Sequence, residues 1–133
     1  MSGIIGLISV SAATPGASAV QAIAKVTASN STSRATLYTP ASGKKVRIIG
    51  WYINNSSTTA AIMDVYFGTA IGLSSDFSKL IVFADLDGDA QLSASGSFPD
   101  GAGPIGAADE VVSMTTNTNI TSSIKVGIVF REE

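Results

Sequence analysis

Hydrophobic and polar residues alternate along much of this chain with a period of two. Near the C-terminus, Ile120, Ile124, Val126, Ile128 and Phe130 share one parity, interrupted by Ser122. Thr121, Ser123, Lys125 and Arg131 share the other. Successive side chains of a strand point to opposite sides, so this segment predicts a strand with one core face and one solvent face. Ala61, Met63, Val65 and Phe67 form a second such face, opposed by Ile62, Asp64 and Tyr66. Val46–Ile53 differs. It is apolar on both parities except at Arg47 and Gly50, which predicts a strand covered on both sides, either central or buried at an interface.

Further strands are expected at Ile4–Val10, Val20–Thr27, Ala35–Thr39, Lys79–Asp85, Ala90–Ser95 and Glu110–Thr115. Turn-forming clusters separate them: "TPGAS", "SNSTS", "PASGKK", "NNSSTT", "LDGD" and "TTNTN". Asp87-Gly88 is a strong hairpin signal, because both residue types tolerate positive φ. Gly68–Ser78 lacks alternation and reads as a loop or a single helical turn. Gly96–Ala108, "GSFPDGAGPIGAA", reads as a long loop that carries function or reaches a partner. No segment sustains a helical period. The expected fold is all-β: a single-domain antiparallel β-sandwich or jelly roll over residues 15–133, preceded by an extended N-terminal arm over residues 1–14.

Composition narrows the chemistry. The 133 residues contain neither cysteine nor histidine. Disulfides, thiolate chemistry, the commonest general base and the commonest metal ligand are therefore all missing. Charged residues make up 14%, against the usual quarter or so, and small residues replace them. Such a surface suits a protein largely covered by neighbours. With a net charge of −2 and no basic block, nucleic acid is not an expected partner. "MSGIIGLISV" is apolar but has no preceding positive charge, so it is read as a strand or arm and not as a signal peptide. No apolar run reaches the roughly 18 residues of a membrane helix, and no membrane association is expected.

Several motif-like stretches have plainer readings. "DLDGD" at Asp85–Asp89 has alternate carboxylates, but Gly88 comes too early and Gly96 stands where a calcium loop needs its glutamate, so it reads as a hairpin turn. "GAGPIG" at Gly101–Gly106 matches a dinucleotide spacing without the strand and helix that the motif needs, so it reads as a conformationally demanding loop. Asn30, Asn54, Asn55 and Asn119 begin glycosylation-type triplets that coincide with turns. Asp109 and Glu110 are expected to face solvent, and Lys44 and Lys45 to face solvent or pair with acidic neighbours. Serines abound, yet no base activates one, so no enzyme activity, catalytic residue, cofactor or metal is expected. Trp51 and Tyr52 point to opposite sides of one strand. They and Tyr66 read as core or interface aromatics, with Trp51 open between the two, and stacking on a sugar is the other reading.

Thr36–Gly68, "TLYTPASGKKVRIIGWYINNSSTTAAIMDVYFG", resembles a module common in tailed-bacteriophage virion proteins. There a strand ends in a Leu-Tyr-Thr-type sequence and a Pro/Ala/Gly turn with lysine follows. A long apolar strand then leads through an Asn-Ser-Ser turn into a strand ending Val-Tyr-x-Gly. The resemblance covers about a quarter of the chain and carries no catalytic residues. It implies a structural virion protein, assembled in the host cytoplasm, and first of all a capsid decoration (cement) protein that stabilises the shell. A tail, neck or fibre-base component is the second reading, and a glycan-binding module is a third. The implied partners are further copies of the chain, as a trimer, and the major capsid protein or another virion protein. Ile4, Ile5, Leu7, Ile8 and Val10 are the expected partner-binding residues of the arm.

Overall fold

The computed structural model describes residues 19–29, 34–55, 59–70, 77–86, 93–117 and 120–133. The expected arm, the strand at Ile4–Val10 and the Asp87-Gly88 turn lie outside these residues. Eight strands are formed: β1 (Gln21–Ser29), β2 (Ala35–Tyr38), β3 (Val46–Asn55), β4 (Ala61–Phe67), β5 (Leu80–Leu86), β6 (Ser93–Ser97), β7 (Val112–Thr116) and β8 (Ile120–Glu132). They build two four-stranded antiparallel sheets, ordered β1-β8-β3-β6 and β2-β7-β4-β5. The expected β-sandwich is the fold observed, and no helix occurs among the described residues.

The pairing is nested. β1 pairs with β8, β2 with β7, β3 with β6 and β4 with β5. The chain thus behaves as one long hairpin with its apex between β4 and β5. Two further ladders, β3–β8 and β4–β7, roll that hairpin into two layers. Between the layers lies one apolar core, including Val46, Ile48, Ile53, Met63, Val65, Met114, Ile124, Val126, Ile128 and Phe130. Both β8 and β4 place their regular apolar parity there, as alternation predicts.

A bulge resolves the two-faced appearance of β3. Ile48 pairs with Phe130 and Gly50 with Val129, so Ile49 is an extra residue. An inserted residue shifts the side-chain parity of everything after it. Before the bulge the even positions Val46 and Ile48 are buried; after it the odd positions Ile53 and Asn55 are. The strand is not covered on both sides, because Tyr52 stays 40% exposed.

The glycine-rich loop after β6 serves β3. Its start is two residues later than expected, since Gly96 and Ser97 belong to β6. The loop then runs along the first half of β3. Ile48 N donates to Pro104 O (2.9 Å), Gly106 N donates to Val46 O (3.0 Å), and Arg47 bridges Ile105. A Cβ on Gly103 would sit 1.9 Å from the Ile48 carbonyl oxygen, so only glycine permits this approach. The "GAGPIG" stretch is thereby explained as backbone packing.

Charged side chains of the C-terminus fasten the same end of the sandwich. Glu132 accepts from the Tyr38 hydroxyl (2.7 Å) and from Ala41 N (2.9 Å). Arg47 pairs with Glu133 at 2.5 Å and Arg131 with Asp100 at 2.6 Å. Lys44 and Lys45 face solvent as expected, and so does Asp109, whose carboxylate also accepts from Gly43 N. Glu110 does not: its side chain is 16% exposed and pairs with Lys79 at 2.5 Å.

Candidate functional site on the outer face of the first sheet

Each sheet has a face turned away from the core, and the two faces are opposite in character. On the first sheet, the ladder registers align Ala22, Val129, Gly50 and Ser97 in one outward row. Gly127, Tyr52 and Ser95 align in the next. Small residues at the crossing of β8 and β3 leave a shallow apolar depression of about 330 Å³. Gly50, Gly96 and Gly127 contribute to its lining, together with Ile49, Tyr52 and Val129. Ala22, Ser95, Ser97 and Tyr52 are exposed around it. Lys125, also exposed, lies one ladder position beyond Tyr52.

On the second sheet, the outward side chains at the centre, on β4 and β7, are polar and buried, while Phe83 on the edge strand β5 is exposed. Ser113 and Tyr66 are ladder partners, as are Thr115 and Asp64, and all four are fully buried. Their polar atoms are engaged, as burial demands. Thr115 Oγ1 donates to Asp64 Oδ1 (2.5 Å), and Ser113 Oγ donates to Gly68 O (2.7 Å). Arg34 donates to Thr36 Oγ1 (2.5 Å) and Ser113 Oγ (3.2 Å), and the Tyr66 hydroxyl donates to Ala70 O. Burial, and then the neighbouring Asp64 carboxylate, push the Tyr66 hydroxyl above its ordinary pKa. The expected solvent face of β4 is therefore closed. Alternation foresaw its polarity but not its burial.

The three candidate aromatics part ways. Tyr66 is fully buried on the second sheet and offers no surface to a partner. Trp51 pairs with Ile128 in the ladder and packs on the core side. Its ring lies over Gly96, where an added Cβ would come within 2.8 Å of the indole. Tyr52 alone is exposed, at the rim of the depression. No pair of these rings forms a stacking platform. The arm residues Ile4, Ile5, Leu7, Ile8 and Val10 lie outside the described residues. The sequence reading missed Gly127, Val129 and Ala22 as partners of Tyr52, since only the ladder registers bring them together.

Among the described residues no group of three or more acidic or other ligating side chains could hold a metal ion. No helix there is long and apolar enough to cross a membrane. No protein-family model matches the chain, and no curated protein is similar to it.

Proposed function

We propose that this chain is a structural protein of a tailed-phage particle, a decoration (cement) protein that binds and stabilises the assembled shell. The observation that carries the reading is the glycine-floored apolar depression on the two central strands of the first sheet. A shallow apolar depression on the outer side of a central strand pair, with an aromatic ring at its rim, offers a seat for a side chain of another protein. The resemblance of Thr36–Gly68 to phage virion modules gives that partner its class. The nested strand order supports the jelly-roll form of the sandwich, an eight-stranded double sheet.

The mechanism is thermodynamic and involves no bond making. A homotrimer sits where shell subunits meet, and each copy presents its first sheet to the shell. The apolar arm over residues 1–14 adds backbone hydrogen bonds to a neighbour. Several modest contacts per cluster give avidity. Binding the assembled shell and not its free subunits stabilises the shell by mass action.

An antibody raised against the purified chain tests this on intact particles. Labelling in a regular array over the shell is the expected result. Label confined to tails would move the protein to the tail, and label absent from particles would overturn the virion reading. Chains lacking residues 2–14 are expected to fold and to fail to occupy shells stripped of the protein. Wild-type occupancy by that deletion would remove the arm from the mechanism. A glycan array on which wild-type chain binds and Tyr52→Ala does not would replace the reading with a sugar-binding one.

A further inference from the structure

Two exposed features match each other in chemistry and spacing. The first is the outward side of β5. Val82 and Leu86 of that strand enter the core, whereas Phe83 is 54% exposed and Asp85, two residues on, is exposed as well. The second is the depression on the first sheet. Tyr52 and Gly127 form one row of it, and the next outward row, Asn54 and Lys125, holds an exposed lysine. Successive rows of one face are two residues apart, about 6.8 Å along the strand. Phe83 and Asp85 have that same separation. The described residues of the outward rows carry no acidic group beside Lys125. Among the described residues neither Lys125 nor Asp85 forms an ion pair.

We infer that the outward side of β5 docks in the first-sheet depression of a second copy of this chain, with the Phe83 ring in the depression and Asp85 against Lys125. An apolar cavity of about 150 Å³ holds benzene, so a depression of about 330 Å³ admits a phenyl ring. The glycines of its floor let that ring approach the backbone, and Tyr52 at the rim offers it an aromatic neighbour. The two features cannot meet within one copy. β5 belongs to the second sheet and the depression to the outer side of the first, so the sandwich stands between them. The contact is therefore head-to-tail. One ring and one ion pair make a small interface of the transient kind. It occupies the seat that the proposed function gives to the shell. If that reading holds, free chains cover the seat with one another and exchange this contact for the shell; the contact between copies does not depend on it.

Charge exchange tests the contact on purified full-length chain. In light scattering over a concentration series, the mass of wild-type chain should rise with concentration. Lys125→Glu and Asp85→Lys each set like charges across the contact. Each alone should raise the concentration needed for association several-fold, at an unchanged thermal midpoint. Mixed in equal amounts, the two variants again face opposite charges in every contact between unlike chains, and the mixture should associate as wild type does. Phe83→Ser should lose the association with all charges in place. A wild-type mass that does not change with concentration would overturn the inference. So would single variants that associate as wild type does, or a mixture no more associated than its components. Failure here with normal shell labelling refutes the contact between copies only, whereas charge-complemented association by a protein absent from particles refutes the virion role only.

Discussion

The outer faces of the two sheets differ in the reverse of the usual way. At the centre of the second sheet the outward side chains Asp64, Tyr66, Ser113 and Thr115 are polar and buried; at the centre of the first they are mostly small or apolar and line an open depression with Tyr52 exposed at its rim. A buried polar face is stable only when its hydrogen bonds are made, and Asp64, Thr115, Ser113 and Tyr66 make theirs. An exposed ring such as Tyr52 contributes little to the isolated domain. The first kind of face holds the fold together, and the second is available for assembly. Substitutions on the two faces should therefore separate stability from binding.

The largest effect belongs to the buried face. Tyr66→Ala removes a fully buried ring and is expected to destabilise by about 3–5 kcal/mol in denaturant unfolding. Thr115→Val keeps the volume but removes the donor to Asp64, with an expected cost of about 1–3 kcal/mol. On the first sheet, Gly96→Ala drives a methyl into the Trp51 ring and should cost about 1–3 kcal/mol. A Trp51 emission spectrum unchanged by that substitution would show that the ring does not rest where the structure places it.

The smallest effect is on pH dependence. The Tyr38 hydrogen bond, aided by Ala41 N, holds the Glu132 carboxyl below its ordinary pKa, and Arg131 does the same for Asp100. Groups with depressed folded pKa values stabilise the fold fully above the ordinary carboxylate range of about 4. That stability is lost as pH falls through the depressed values. The Tyr38 hydroxyl is raised by Glu132, so its contribution is complete below about pH 10 and lost at higher pH. With no histidine in the chain, no imidazole step in the thermal midpoint is expected between about pH 5 and 8. Its acid fall should be shallow, because both carboxylates lie at the surface.

Much of this architecture is legible in the chain. The seven strands expected among the described residues and β8 formed where alternation or β-branched runs placed them, with ends shifted by up to three residues. Two features were not legible, for the same reason. The coverage of β3 was misread because a bulge at Ile49 moves the core parity from even to odd, and parity alone cannot distinguish that from burial on both sides. The buried polar pair on the outward face of β4 joins Asp64 to Thr115, 51 positions away. Contacts across that separation are set by topology, which local pattern does not encode. The depression has the same origin. Tyr52 is a candidate by itself, but Gly127 joins its surface only as its ladder partner.

The central claim is that the first sheet's outer face serves binding and not folding. Tyr52→Glu tests it through one paired measurement, unfolding free energy and occupancy on shells stripped of the protein. The predicted result is stability within about 0.5 kcal/mol of wild type, with occupancy lost. Wild-type occupancy at unchanged stability would show that this face binds nothing and would contradict the account.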